Sequence, residues 1–436
     1  MPLHLLSKRF LRLWMAILAL LVLAFLVLYS QSWQRGPSKI QLGSSITVTG
    51  HADTWTNIHP FLMFDGYISN PAAVAPRYDF VTGAKSYNVA AYRSTNPNIF
   101  LTYYITFHRD NGAFTDSTAL KSLAGWRAIH PDWVLYRCDR VTPAYEFGNP
   151  NMPFDFSNPA LVNWQVQNFA LPASQNGYNG ITADNVNLEN LFGACGTYQN
   201  GKWVRRYTGK FDDPVWQADA VNWITRMQSA LHNLPHPMAL LLNLGFGQSL
   251  TPTSSIIRNV ISHSDGVVDE AGFTQYGTGY LADGNWVRAI QLGEMIQAQG
   301  KPFYIVDNLP RVNRDGIQWA LASYLMVKEH SSELFIAGYQ DYGIDAWYNE
   351  YKTQIGSPLN AMHPSSGVFF RDYSNGLSIV NPNSRATFRL RLNSAVHYVD
   401  LYGNTVGGIV TMRPHSGLVL KIASQSQIKP VRIGQP

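Results

Sequence analysis

The sequence predicts an α/β fold: a (β/α)8 TIM barrel, followed by a small antiparallel β domain and preceded by a membrane-spanning helix. Three observations carry this expectation. Eight apolar, β-rich runs recur between residues 60 and 340, and helical patterns with start signals fill several of the gaps between them. Beyond residue 356 the pattern changes to short alternating runs separated by Asn-Gly, Asn-Pro and Gly-Asn turns. The expected organisation is a cytoplasmic tail and transmembrane anchor (1–30), a linker (31–50), the (β/α)8 barrel (51–355) and the C-terminal β domain (356–436).

Residues 13–29 (LWMAILALLVLAFLVLY) carry no charge and, with Phe10 and Leu11, are about long enough to cross ~30 Å of hydrocarbon as a helix. Lys8, Arg9 and Arg12 precede this stretch, while only Arg35 and Lys39 follow it closely. The positive-inside rule then places the folded part outside the cytoplasm, as a single-pass membrane protein. A cleaved signal peptide is the alternative and gives a secreted protein. The length of the apolar run and the lack of a small-x-small site at its end (VLYSQSW) favour the anchor. Residues 31–50 lack a hydrophobic period and read as a spacer.

The eight runs are 60–67 (PFLMFDGY), 99–107 (IFLTYYITF), 133–139 (WVLYRCD), 180–186 (GITADNV), 238–246 (MALLLNLGF), 265–270 (DGVVDE), 302–308 (PFYIVDN) and 333–340 (ELFIAGYQ). Helices are expected from 157 (SNPALVNWQVQNF) and over 214–231, 285–299 and 315–328. The first has a capping residue and a Pro in its opening turn. The second repeats that design, with Val215, Trp216, Ala220, Trp223, Ile224 and Met227 at helical spacing. An open doubly wound sheet is the rival topology, but no Gly-rich phosphate turn follows the first strand. The closing β domain rests on GVFFRDY, GLSIV, RATFRLRL, VHYVDL and GLVLKI, all alternating apolar with polar residues.

Composition narrows the function. Lys plus Arg number 33 and Asp plus Glu 28, yet the first thirty residues hold three of the bases and no acid. The remainder is close to neutral, so nucleic-acid binding loses its electrostatic support. Charged residues are 14% of the chain, against roughly 25% in an average soluble domain, and aromatics are 13%. Two cysteines are too few for a metal site built from four thiolates. His232 and His236 have ligand-like spacing, but Pro235 breaks the helix that would align them. No P-loop or G-x-S-x-G elbow is present, and no cofactor is expected.

Acids close several of the strands. Asp65 follows LMF, Asp139 follows LYRC, Asp184 follows ITA, Asp269 and Glu270 follow GVV, and Asp307 follows YIV. Asn185, Asn243 and Asn308 stand at similar positions, and Tyr67 and Tyr339 are among the aromatics just beyond strand ends. Side chains at the C-terminal ends of barrel strands line the active site. Carboxylates gathered there are costly unless hydroxyls, metals or proton chemistry engage them. A carboxylate pair with polar groups and aromatic rings fits glycoside hydrolysis, with a carbohydrate substrate.

GITADNV, DGVVDEAGF and KPFYIVDN, on strands four, six and seven, resemble the glycosyl-hydrolase barrels related distantly to the melibiase-like and endo-α-1,4-polygalactosaminidase-like groups. The resemblance spans roughly residues 55–350 and implies a TIM-barrel glycosidase. It implies Asp184 as nucleophile, since the Asp closing strand four has that role in similar barrels. It implies Glu270 as acid/base, because E-x-G-F is the commoner form after strand six. Asp269, its neighbour, then points to the opposite face of a regular strand. Asp65, Asp139, Asn185, Asn243, Asp269, Asp307, Tyr67 and Tyr339 are left to bind hydroxyls or tune proton affinity.

Cys138 and Cys195, at the expected end of strand three and in the loop after strand four, can pair at one mouth of the barrel in an oxidising compartment, or stand as two buried thiols. Two other function classes stay open: a catalytically silent carbohydrate-binding barrel, and a cell-surface scaffold whose acids are structural.

Overall fold

The structure, a computed structural model, describes residues 58–110, 123–146, 152–245, 250–329 and 332–423. The apolar segment 13–29 and the linker lie outside the described residues. Among the described residues, no helix is long and apolar enough to cross a membrane.

Eight parallel strands form one sheet in sequential order: β1 (Leu62–Met63), β2 (Phe80–Thr82), β3 (Phe100–Thr106), β4 (Gly180–Asn187), β5 (Ala239–Gly245), β6 (Gly266–Asp269), β7 (Phe303–Leu309) and β8 (Ser332–Gly338). A parallel bridge between Pro60 and Leu334 joins β8 to the residues ahead of β1 and brings the sheet round on itself. The expected count of eight therefore stands, with one exchange. Run 133–139 is not a barrel strand: only Tyr136–Arg137 forms a strand, and it pairs antiparallel with Ala194–Gln199 in a satellite sheet. The second barrel strand is instead the three-residue β2, too short to display a period of two.

Alternation sorts each strand's side chains. Phe61, Met63, Phe80, Phe100, Ala239, Leu241, Val268, Tyr304, Val306, Phe335 and Ala337 fill the barrel interior. There the Phe80 and Tyr304 rings lie 4.5 Å apart and Phe61 stacks on Phe80 at 5.5 Å. Leu62, Val81, Leu101, Ile181, Leu240, Val267, Ile305 and Leu334 face the helical layer.

That layer follows local signals. Asp213 caps α1 (Pro214–His232) by accepting from the amides of Val215 and Trp216 at 2.9 and 3.3 Å. Trp216, Ala220, Trp223, Ile224 and Met227 are buried as expected, whereas Val215 is exposed. The helix expected from 157 starts at Pro159, with Asn158 as its cap, and passes through a π turn at Val166–Ala170. Asn313 caps α3 (Arg314–Val327), and α2 (Asp283–Ala298) precedes β7.

Residues 363–422 form the antiparallel β region, a six-stranded and a two-stranded sheet, docked on α3. Strand Ser416–Ile422 approaches so closely that a Cβ on Gly417 would lie 2.6 Å from the Gln318 carbonyl oxygen. Arg371 donates to the carbonyls of Leu325, Met326 and Lys328 at 3.1, 3.2 and 2.7 Å, satisfying the end of that helix.

Candidate active site

Strand β4 changes phase at its end. Ala183 pairs with Leu242 and Val186 with Leu244, so Asp184 and Asn185 together stand opposite Asn243 as a β-bulge. Asn185 takes a left-handed backbone with φ 55°, a conformation Asn tolerates better than branched residues do. Before the bulge Ile181 and Ala183 face the helices; after it Val186 and Leu188 do. The extra residue thus lets both Asp184 and Asn187 turn inward.

Asn243 on β5 and Glu270 just beyond β6 share that inward phase. The Asn243 side-chain nitrogen donates to Asp184 Oδ1 and to Glu270 Oε2, each at 2.7 Å. The two carboxylate oxygens are therefore no further apart than twice that distance. Asp184 Oδ2 accepts from the Tyr104 hydroxyl and the Asn185 amide and lies 3.7 Å from Arg109 Nη2. Glu270 Oε1 accepts from the Tyr342 hydroxyl at 2.6 Å, and Asn308 donates to that same hydroxyl at 2.8 Å. Arg109 Nε also pairs with Glu146 at 2.9 Å, whose other oxygen accepts from Asn187 at 3.0 Å. A continuous polar network thereby crosses the barrel mouth.

Electrostatics separates the two acids. Burial raises the proton affinity of both, and for Glu270 the charge of Asp184 adds to it. Hydrogen bonds from Tyr104 and Asn243 and the charge of Arg109 offset burial at Asp184. Glu270 has Tyr342 and Asn243 alone to set against it. The two carboxyls titrate as one unit, in which the ionised form has more support at Asp184 than at Glu270. Burial pushes the Tyr104 phenol well up, with Asp184 adding, so it remains a donor. Burial and then Arg109 push His108 down to about 3, so it is neutral. Burial holds Glu146 up at about 8 against the pull of Arg109.

The other acids singled out in the sequence fall elsewhere. Asp139 does not close a barrel strand, contrary to expectation: it sits in an exposed turn of the satellite sheet, accepting from Val141 and Thr142. Asp65 is buried, but its oxygens are taken by the Lys85 amide at 3.0 Å and Asn88 at 2.8 Å. Asp269, in the opposite phase from Glu270, accepts from the amides of Ala271 and Gly272 at 3.1 and 3.3 Å. Asp307 also faces outward, away from the barrel interior, where its Oδ1 accepts from the Phe273 amide at 2.6 Å. Its Oδ2 has no hydrogen-bond partner among the described residues. Gly272, at φ 52°, is required there, because a Cβ would lie 2.5 Å from Asp307 Oδ1. Tyr67 and Tyr339 are exposed on the loops after β1 and β8, and neither hydrogen-bonds the carboxylate pair among the described residues.

Cys138 and Cys195 are joined by a disulfide with Cα atoms 5.0 Å apart. It lies in the satellite sheet rather than at the barrel mouth, since run 133–139 is not a barrel strand. Tyr104, Arg109, Glu146 and Asn187 were not selected in the sequence as site residues, whereas Tyr342 is one of the aromatics just beyond strand ends. Arg109 had a usable signal, a base just past an apolar strand; Glu146 had none, because 41 residues separate it from Asn187.

Burial raises Asp307 to about 7 and Asp269 to about 6, from an ordinary 3.8. A raised carboxyl stabilises the fold fully below about pH 4 and loses that contribution as pH rises through about 7. Asp307→Asn keeps an acceptor for Phe273 without the charge. Its melting temperature relative to the native protein should therefore rise by several degrees between about pH 5 and pH 8 in calorimetry. A constant difference across that range would count against a buried, titrating Asp307.

Beside Glu270, a cleft of about 360 Å³ opens between the ends of β5 and β6 and helix α2, at the small end of the ~300–1,000 Å³ usual for ligand pockets. Among the described residues, no group of three or more His, Cys, Asp or Glu is arranged to hold a metal ion.

A family model described as hypothetical glycosyl hydrolase family 15 matches residues 93–377. No curated protein matches the chain. Several solved structures are similar to it. A noncanonic maltogenic alpha-amylase, AmyB from Thermotoga neapolitana, is 10% identical over 85% of this chain and 99% of its own, with a TM-score of 0.47. A family 39 glycoside hydrolase from the gut symbiont Bacteroides cellulosilyticus WH2 is 8% identical over 86% and 82%, with a TM-score of 0.47. An alpha-amylase from Malbranchea cinnamomea is 8% identical over 84% and 97%, with a TM-score of 0.46.

Proposed function

The chain belongs to hypothetical glycosyl hydrolase family 15, and from that premise we propose that it is a retaining glycoside hydrolase in which Asp184 is the nucleophile and Glu270 the acid/base. One observation carries the reading: a single Asn243 nitrogen bridges the two carboxylates, each at 2.7 Å. That spacing accords with the ~5–5.5 Å of retaining enzymes and leaves no room for the water that an inverting pair holds across ~6.5–9.5 Å.

Glu270 protonates the glycosidic oxygen as Asp184 attacks the anomeric carbon, giving a glycosyl ester on Asp184 and a free sugar. Glu270, now ionised, takes a proton from water as the water oxygen attacks the same carbon. Asp184 then leaves as a carboxylate held by Tyr104, Asn185, Asn243 and Arg109. Asn243 tightens its hold on whichever carboxyl carries more charge at each step. A binding protein without catalysis would have no use for two acids at reacting distance in unequal environments.

The reading extends to location: the apolar run 13–29, with its bases on the N-terminal side, tethers an extracytoplasmic barrel that acts on a polysaccharide or oligosaccharide. The disulfide supports an oxidising compartment.

Proton NMR of early products tests the mechanism. With whichever glycan in a polysaccharide panel is cleaved, the first-formed anomer should match the bond broken. The opposite anomer would overturn retention.

A further inference from the structure

The satellite sheet is built from the two connections that leave the C-terminal ends of β3 and β4. The first contributes strand Tyr136–Arg137, and the second contributes strands Ala194–Gln199 and Lys202–Arg205. Arg109 and Glu146 lie on the first of these connections, and the second begins just past Asp184. Positive charge collects on this sheet. Segments 136–145 and 194–210 hold six bases, Arg137, Arg140, Lys202, Arg205, Arg206 and Lys210, against the single acid Asp139. The rest of the chain past residue 30 holds fewer bases than acids. Arg206 is neutralised by Asp219, at 2.5 and 2.6 Å. Arg140, Lys202 and Arg205 are exposed, and among the described residues none of them forms an ion pair.

One of these charges is held in place. Arg140 has left-handed backbone, with φ 66°, a conformation uncommon for a long side chain and kept only where the surroundings impose it. Asp139 imposes it by accepting from the Val141 and Thr142 amides at 2.9 Å each and from the Thr142 hydroxyl at 2.6 Å. Cys138, on the other side, is bonded to Cys195 on the neighbouring strand, and the Arg140 carbonyl accepts from the Tyr198 hydroxyl at 2.9 Å. The guanidinium is thereby set over the Trp203 ring, 5.9 Å from its centre. Trp203 is partly exposed and packs on Tyr198, with 5.5 Å between the rings. Pairing of Tyr198 with Trp203 and of Gly196 with Arg205 puts Tyr198, Trp203 and Arg205 on one face of the sheet. A fixed cation on an indole, with a second guanidinium on the same face, suits a planar anion joined to a body with C–H faces. A sugar bearing a carboxylate has both parts.

Taking only its choice of partner from the hydrolase reading above, we propose that Arg140, Trp203 and Arg205 form a surface binding site for an acidic polysaccharide whose sugars carry carboxylates. The site holds the polymer on the connections that also carry Arg109 and lead from Asp184, so that the chain being cleaved is gripped beside the carboxylate pair. Asp139, expected to bind substrate itself, acts here as the positioning residue that presents Arg140. A nucleic acid would need a longer basic track than the rest of this chain offers.

Isothermal titration calorimetry of the full chain tests this with three soluble polymers: polygalacturonate, with a carboxylate on each sugar, dextran, with none, and polyglutamate, with carboxylates but no sugars. Polygalacturonate is expected to bind more tightly than the other two. Its affinity should fall about tenfold in Arg140→Gln and in Trp203→Ala, the order of one charge-assisted hydrogen bond or one lost ring. Asp139→Ala should weaken it as well, because the turn that presents Arg140 is released. Arg140 is exposed, so its variant keeps the test valid should Trp203→Ala fail to fold. Dextran or polyglutamate bound as tightly as polygalacturonate overturns the proposal, and so does undiminished binding of polygalacturonate by Arg140→Gln. A preference for phosphatidylglycerol over phosphatidylcholine vesicles that Arg140→Gln abolishes, with no binding of polygalacturonate, overturns it in favour of a lipid surface. Binding as expected by a chain that cleaves no glycan keeps this site and removes the hydrolase reading, whereas cleavage of a glycan without binding of polygalacturonate does the reverse.

Discussion

Asp184→Ala is expected to lower turnover by roughly 10⁴-fold or more, the order lost when the nucleophile of a catalytic unit is removed. Added azide should restore part of the rate. The substitution empties the space beneath the anomeric carbon, and a small anion that enters it attacks from the side Asp184 occupied. The product is then a glycosyl azide of inverted configuration, because no second displacement follows. Arg109, 3.7 Å from Asp184 Oδ2, and the Tyr104 and Asn185 donors remain to hold that anion. Stability should change little, since the variant removes a buried carboxyl whose burial opposes ionisation. Isolation of the azide adduct by NMR checks both the site and the side of attack. Near-native hydrolysis by Asp184→Ala, or an adduct of retained configuration, would remove Asp184 from the nucleophile's place.

Much of this site was legible because strands alternate. In DGVVDE, the phase that buries Val268 inside the barrel also turns Glu270 inward and Asp269 outward. The same rule applied to FYIVDN puts Asn308 with Tyr304 and Val306 inside and sends Asp307 out. Acidity alone does not distinguish the two, since Asp307 marks a strand end as plainly as Asp184 does. Asp184 was harder, because its orientation depends on the bulge at Asn185, which alternation alone does not announce. Asp139 failed for a different reason: WVLYRCD has the composition of a barrel strand but is held in a satellite hairpin beside Cys195. The true second strand, three residues long, carried too little pattern to compete. Glu146 and Tyr342 reach the site from loops, so their place is set by tertiary packing and not by periodicity.

Glu270→Ala should separate the two half-reactions. Removing a general acid costs roughly 10²–10⁴-fold. The full loss is expected for a sugar leaving group, and much less in the first step for a dinitrophenyl glycoside of the same sugar, which departs without a proton. With that donor the glycosyl ester should accumulate, seen as a burst of phenolate and as added mass on Asp184. Azide should then release a glycosyl azide of retained configuration, the opposite of the Asp184→Ala product, because it attacks from the face Glu270 vacated. The pH profile follows the same logic. Glu270 is raised by burial and by Asp184, so native activity on sugar substrates should fall as pH climbs through that raised value. Without the carboxyl this alkaline limb should vanish, while the acid limb, set by ionisation of Asp184, should remain. Tyr342→Phe removes a donor that favours the ionised form of Glu270, so it should move the alkaline limb upward without deleting it. An alkaline limb that persists unchanged in Glu270→Ala would assign the proton to another group. Asp269, about 6 and one residue away, would then be the first to replace.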